Sequence, residues 1–203
     1  MMAKRMLDLI LGLALFLLSV PLQFLIALAV LIDSGRPALF RQVRAGKGGL
    51  PFTLTKFRTM KAGREDHTEE ESEWNRIDRI GRFLRAHSLD ELPELWHVVR
   101  GQMSLVGPRP LLMDYLPLYS PRQARRHEVK PGLTGWAQIH GRNAQSWEER
   151  FEGDVWYVEN RTFGLDLKIL ALTVVRVLRR EGITHDGRTS MTRFTGSVDR
   201  QMK

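Results

Sequence analysis

From Leu9 to Ile32 the chain runs for 24 residues without a charge, between Asp8 and Asp33. Coiled as an α-helix at about 1.5 Å per residue, that stretch is roughly 36 Å long, enough to cross the hydrocarbon core of a bilayer. It is too long for the apolar region of a cleaved signal peptide, and no convincing cleavage site precedes Asp33. Two features work against a simple span. Pro21 stands near the middle, where it removes an N–H and clashes with the preceding turn. In lipid the freed carbonyl needs another partner, which Ser19 can help supply. Lys4 and Arg5 precede the run, and Arg36, Arg41, Arg44 and Lys47 follow it, so both flanks carry the mark of the cytoplasmic side. A helix that dips in, breaks near Pro21 and returns keeps both flanks on one side. A kinked single-pass helix leaves one of them on the wrong side.

The remainder is soluble in character. Lys and Arg total 31 against 23 Asp and Glu, a net charge of +8 in 203 residues. That balance points to an anionic partner: nucleic acid, a phospholipid surface or a phosphorylated substrate. The absence of cysteine excludes a disulfide scaffold, a thiolate-ligated zinc site and a thiol nucleophile. Histidines at 67, 87, 97, 127, 140 and 185 lack zinc-like spacing. Short strands are predicted at 40–43 and 52–57 around a glycine-rich turn at 45–49; Lys47 is followed by Gly48, so that turn is not a P-loop. Helices are predicted at 76–84, 88–99 and 111–118, with a strongly apolar one at 165–178 that suits the core or the bilayer interface. Between Gly35 and Arg64 stand eight Lys or Arg and no acid, and six acids then fill 65–73, an exposed helix start or loop. After Glu181 the chain reads as a polar, loosely held tail.

The sharpest chemical constellation is Ser88-Leu89-Asp90-Glu91-Leu92-Pro93-Glu94. Pro93 fits only a first helical turn, which puts Asp90 at a helix start, and Ser88 with Glu91 has the spacing of a capping box. Capping alone would account for this stretch. A second constellation, Met103-Ser104-Leu105-Val106-Gly107-Pro108-Arg109-Pro110, presents one arginine between two prolines, a stiff mount for a phosphate-binding guanidinium or for a structural ion pair. A third, 130–138 followed by Gly141-Arg142-Asn143, has the glycines, tryptophan and polar side chains of a flexible hydrogen-bonding lid, or of a plain surface turn. Together these parts suit phosphoryl chemistry, in which a carboxylate attacks phosphorus, arginine holds the phosphate and Mg²⁺ offsets charge at adjacent carboxylates.

The same stretches resemble the monotopic phosphoglycosyl transferases of the bacterial sugar transferase family, closest to its small PglC-like members. The resemblance runs from about Lys4 to about Gly196. It rests on Lys4-Arg5-x-x-Asp8, Lys56-Phe57-Arg58-Thr59-Met60, Ser88-Leu89-Asp90-Glu91-Leu92, the Met103–Pro110 run, Pro131-Gly132-x-Thr134-Gly135-Trp136-Ala137-Gln138, Gly141-Arg142-Asn143, Asp154-Val155-x-Tyr157-Val158 and Leu165-Asp166-Leu167-Lys168. It implies transfer of a phospho-sugar from a UDP-sugar, N-acetylated and including UDP-diacetylbacillosamine among the candidates, to undecaprenyl phosphate, with release of UMP, as the first step of glycoconjugate assembly. By that likeness Asp90 is the nucleophile and forms a covalent phospho-sugar intermediate, and Glu91 assists it with Mg²⁺, so that both count as metal ligands. Arg109 binds phosphate, and Arg85 and Lys56 line the site. Pro108, Asp154, Arg142 and Asn143 stand at further family site positions.

The fold so implied is α+β and mostly helical: a re-entrant membrane helix over 1–34 broken near Ser19 and Pro21, a catalytic domain over 35–182 with a β-hairpin and interfacial amphipathic helices, and a tail over 183–203. The location implied is the bacterial inner membrane, monotopic, with the active site on the cytoplasmic face and membrane lipid rather than nucleic acid as partner. Several positions depart from the family pattern. Ser19-Val20-Pro21 replaces Ser-Pro, Glu94 and His97 stand where Gln and Asn are expected, and Gln102 replaces Asp. Two other readings compete: a membrane-anchored nucleic-acid binder, which the charge favours but no recognition motif supports, and a non-catalytic scaffold, against which Asp90, Glu91 and Arg109 argue.

Overall fold

A computed structural model of the chain describes residues 2–60, 79–141, 145–179 and 193–196. The acidic stretch at 65–73, the start of the helix predicted at 76–84, and both Arg142 and Asn143 lie outside these residues. The fold is α+β and mostly helical. A single helix, α1 (Met2–Ser34), is followed by a hairpin of β1 (Leu39–Ala45) and β2 (Pro51–Phe57), paired antiparallel with Leu39 opposite Phe57. Then come α2 (Arg79–Ala86), a 3₁₀ turn (Leu89–Glu94), α3 (Leu95–Arg100), β3 (Ser104–Val106) and β4 (Gly132–Thr134). α4 (Trp147–Asn160) and α5 (Phe163–Arg179) complete the helical wall.

α1 is long and apolar enough to cross a membrane, yet both of its ends are fastened to the same domain. Near its start, Lys4 Nζ pairs with Asp166 at 2.8 Å and donates to the Val106 carbonyl at 3.0 Å. Arg5 donates to the carbonyls of Val98 and Val99, in the last turn of α3, at 2.8 and 2.9 Å. Asp8 accepts from Ser104 Oγ and the Leu105 N–H. Gly12 lets α1 approach α3 closely, because a Cβ there would stand 3.1 Å from Val98 Cγ1. Near its end, Ile26 and Val30 are buried against Phe57 and Leu84, and Arg58 donates to the carbonyls of Ser34, Gly35 and Arg36. Between these anchorages Leu17, Leu18, Val20, Leu22, Phe24 and Leu25 are exposed. The helix is continuous through Pro21, so the break expected there is not an interruption. Pro21 cannot donate to the Leu17 carbonyl. Ser19 Oγ instead donates to the Phe16 carbonyl one residue earlier, at 2.8 Å, and receives the Gln23 amide at 2.9 Å.

The main core gathers Phe52 and Leu54 from the hairpin, Leu95 and Val98 from α3, Met103, Leu105 and Val106 around β3, and Ile139, Tyr157 and Ile169. β3 and β4 run parallel, and their flanking loops touch backbone to backbone. A Cβ on Gly107 would fall 2.4 Å from the Lys130 carbonyl oxygen, and one on Gly132 would fall 2.1 Å from Gly107 N. The described part of the lid expected at 130–143 is therefore built structure: β4, then a helical turn (Trp136–Ile139) with Ala137 and Ile139 buried. α5 turns Ile169 and Asp166 inward and leaves Phe163, Leu167, Val174 and Val175 exposed, an apolar outer face beside that of α1. The tail is not loose throughout. Phe194 is buried among Tyr115, Tyr119, Trp147 and Phe151, and its N–H donates to Tyr115 Oη at 3.2 Å.

Candidate functional site

Beneath α1, between the hairpin and α5, lies an open cleft of about 2020 Å³. One part is apolar, with Leu11 and Leu15 of α1, Leu133, and Leu170 and Val174 of α5. The other is cationic, with Arg44, Lys56, Arg85, Arg109 and Arg150, and it contains Asp90 and Glu91.

Asp90 is set by a sharp turn. α2 ends at Ala86, and Ser88 takes a left-handed conformation with φ of 54°. The chain then enters the 3₁₀ turn that carries Asp90 and Glu91, and Pro93 closes it before α3 begins. The predicted capping box is absent, since the Ser88 side chain makes no cap hydrogen bond. A positive φ at a non-glycine residue is strained by about 1 kcal/mol or more, and such strain gathers where a side chain must be aimed. Asp90 is 6% exposed. Burial and the adjacent Glu91 push its pKa above the usual carboxylate range, against the pull of Lys56, Arg109 and Arg85. Glu94, on the inner side of the turn, is pushed up to about 8 by burial and by Glu91.

The cations come from separate elements. Lys56 lies on β2 opposite Phe40, in the same strand face as the Arg44–Phe52 pair. Burial lowers the Lys56 pKa, with Asp90 opposing. Arg85 closes α2 and donates through Nε to Thr59 Oγ1 at 2.9 Å. Arg109 pairs with Glu91, which raises the guanidinium pKa further. With Glu94 protonated at neutral pH, these cations face only the charges of Asp90 and Glu91, so the site carries a surplus of positive charge suited to a phosphorylated ligand.

The other expected site residues are placed differently. Asp154 does not line the cleft. It is 2% exposed and holds Arg126 through Nη2 at 2.7 Å and Nε at 3.0 Å. Arg126 in turn donates to the backbone carbonyl of Arg109 at 2.8 Å. Asp154 thus reaches the site through Arg126, a residue that the 122–130 basic run hides in sequence because its neighbours Arg122 and Arg125 are exposed and half-buried. Pro108 is likewise buried away from the cleft, its carbonyl accepting from the Gly132 N–H at 2.9 Å. Two departures from the family pattern prove to be partners. His97 Nε2 accepts the Thr55 N–H at 3.1 Å, which places the imidazole proton on Nδ1, facing Gln102 Oε1 at 2.8 Å. That pair fixes the strand position next to Lys56. The Gln138 side chain, also on the cleft, has a buried amide with no hydrogen-bond partner among the described residues.

The sequence profile of the family described as bacterial sugar transferase matches residues 1–180. An uncharacterized sugar transferase, EpsL, of Bacillus subtilis is 56% identical over 202 residues, 98% of each chain. The UDP-glucose:undecaprenyl-phosphate glucose-1-phosphate transferase of Caulobacter vibrioides is 42% identical over 185 residues, covering 86% of this chain and 69% of the relative. The Escherichia coli protein of the same description is 40% identical over 85% of this chain, which spans 39% of that longer relative.

Proposed function

The chain belongs to the bacterial sugar transferase family, and from that premise we propose that it moves a phospho-sugar from a UDP-sugar to undecaprenyl phosphate through a covalent intermediate on Asp90. The observation that carries this reading is the cleft itself: an adjacent pair of acids ringed by cations, continuous with an apolar trough under α1. The cationic part suits a nucleoside diphosphate and the trough suits a polyprenyl chain. In the first half-reaction an Asp90 carboxylate oxygen bonds to the β-phosphorus. The bond from that phosphorus to the bridging oxygen breaks, and its electron pair leaves with UMP. In the second, the lipid phosphate oxygen attacks the same phosphorus and returns the electron pair to Asp90, giving undecaprenyl diphosphate-sugar. Arg109 steadies the phosphoryl oxygens in both steps, and Lys56 and Arg85 keep Asp90 ionised.

Asp90 and Glu91 suit a hard cation that takes one or two carboxylates and fills its shell with phosphate oxygens and water. Among the described residues no group of three or more acids or histidines stands close enough to hold a metal ion by itself. Mg²⁺ held there would offset charge on the transferred phosphoryl group.

We place the protein on one face of the bacterial inner membrane, the cytoplasmic one. Both ends of α1 are tied to one domain while its middle stands clear, and Lys and Arg flank the apolar run on both sides. The positive charge then serves phosphates and anionic lipid rather than nucleic acid.

The test is UMP release from a panel of UDP-sugars with undecaprenyl phosphate. UDP-glucose and UDP-galactose are included beside N-acetylated donors such as UDP-diacetylbacillosamine. Asp90→Asn is expected to abolish release while the protein still folds and binds membranes, and wild-type enzyme quenched in turnover to carry a phospho-sugar on Asp90. Full activity of the variant, or sequential kinetics without an adduct, overturns the nucleophile assignment.

A further inference from the structure

Among the cations that line the cleft, Arg109 is coupled both to the Asp90–Glu91 turn and to two further arginines. Lys56, Arg85 and Arg109 act electrostatically on Asp90. Arg44 and Arg150 both feel the charge of Arg109, which lowers their pKa values after burial has done so; Arg44 also feels Glu94, and Arg150 feels Asp154 and Arg126. Arg150 is brought to about 10 in this way. Arg109 repels both guanidinium groups, all three line the cleft, and burial adds to the cost.

Each is held in place by the fold. Arg44 sits where β1 meets the chain after Arg109, through the bridge to Leu112 and the Ala45 N–H bonded to the Leu111 carbonyl at 3.0 Å. Its Nη2 donates to Gln42 at 2.6 Å, while its buried Nε has no hydrogen-bond partner among the described residues. Arg150 stands in the first turns of α4, which is fixed by the Ser146–Glu149 capping box, and its guanidinium lies 5.4 Å from the Trp147 ring centre. Tyr115 and Trp147 also line the cleft, and they belong to a hydrophobic cluster separate from the one that Leu11, Leu133 and Leu170 pack against.

We propose that Arg44 and Arg150, together with Arg109, form a second anion subsite that takes the α-phosphate of the nucleotide donor and holds the nucleoside monophosphate as it leaves. The proposal rests on the reading of the donor as a nucleoside diphosphate sugar. In an in-line displacement the leaving oxygen lies opposite the attacking carboxylate. Arg109, coupled to the turn and to both arginines, then stands beside the phosphorus under attack. Placed on its far side, Arg44 and Arg150 would meet the α-phosphate as the electron pair of the broken P–O bond adds negative charge to it. Fixed cations at that point stabilise charge as it develops. The subsite lies on the Tyr115–Trp147 side, whereas the lipid phosphate enters from the apolar trough.

Full-length protein in detergent is titrated with UMP by calorimetry, for wild type, Arg44→Gln and Arg150→Gln, with the Lys variants as controls that keep the charge. UMP affinity is expected to fall at least tenfold in each Gln variant and less in the Lys variants. In steady state, kcat/KM for the UDP-sugar is expected to fall by a similar factor while kcat/KM for undecaprenyl phosphate holds, since ping-pong kinetics report each half-reaction separately. UMP affinity within twofold of wild type overturns the subsite. A parallel loss in kcat/KM for the lipid assigns these arginines to the lipid phosphate and also overturns it. Should a Gln variant fail to fold, the graded loss in the Lys variants decides the matter. Wild-type protein that binds UMP but never releases it from any UDP-sugar would sink the transferase reading and leave the subsite intact.

Discussion

Glu94→Gln is expected to make the protein more stable at neutral pH, and more so as pH rises. Glu94 is 3% exposed, and burial with Glu91 pushes its carboxyl up to about 8 from an ordinary 4.5. The folded protein therefore keeps a proton there that the unfolded chain gives up. For an acid whose folded pKa is raised, stability is fully present below the unfolded pKa and is lost as pH climbs toward the folded one. Between these limits each pH unit costs about 1.4 kcal/mol. Retaining that proton costs about 1 kcal/mol at pH 5 and about 4 kcal/mol at pH 7.5. Glutamine has the same shape and no proton to lose, so the gain from substitution should grow by about 3 kcal/mol across that interval. For a chain of this size that is roughly 6–12 °C in Tm. Thermal unfolding of both proteins in one detergent, at pH 5 and pH 7.5, measures it. A difference in Tm that is the same at both pH values would refute the reasoning, because a packing effect does not titrate.

Further substitutions test other parts of the site. Asp154→Asn leaves the buried Arg126 charge unpaired and should cost about 3–5 kcal/mol in an unfolding measurement; a loss under 1 kcal/mol would mean that Arg126 relaxes to another partner. Ser88→Val forces a β-branched residue into the left-handed turn before Asp90 and should destabilise by about 1–3 kcal/mol, whereas Ser88→Gly should be tolerated. Equal Tm for the two would show that the turn is not held as described. Burial and Arg126 depress the His127 pKa to about 4, so the unfolded chain takes up this proton first as pH falls from about 6.5. Stability should decline through that window, and His127→Gln should flatten the decline in pH-dependent unfolding curves.

Much of the architecture was legible because the signals are local. A charge-free run, a glycine-rich turn between β-branched and aromatic segments, and Pro93 fixing the start of a helix each act over a few residues. The hairpin accordingly forms at Leu39–Ala45 and Pro51–Phe57, around the predicted strands. What stayed hidden depends on contacts distant in sequence. Asp154 stands in a recognisable motif, but its partner Arg126 lies 28 residues away in a run whose other cations are half-buried or exposed. His97 and Gln102 each looked like a departure until the Thr55 N–H showed why they occur together. Ser88 has the sequence of a capping residue, yet α2 ends so close before it that its backbone must turn left-handed and its hydroxyl cannot cap. The polar composition of the tail gave no sign that Phe194 would be buried among four aromatic rings.

The long apolar helix α1 and the cationic cleft are tied together. Asp8 binds Ser104 and Leu105 of β3, and Lys4 reaches the carbonyl of Val106, the last residue of that strand; Arg109 follows three residues later. At the other end, Arg58 clasps the end of α1 two residues beyond Lys56. The helix thus grips two of the segments that carry cations of the cleft, those of Lys56 and Arg109, one at each end. An interface that fixes the depth of α1 also fixes how far Lys56 and Arg109 stand from the headgroup plane. That coupling explains why the fastening residues are charged in an otherwise apolar helix. Charge-assisted hydrogen bonds to fixed carbonyls, N–H groups and Asp166 are directional, so they set the position of the helix more sharply than apolar contacts do, and under the proposed reaction position is what a nucleotide and a lipid phosphate require.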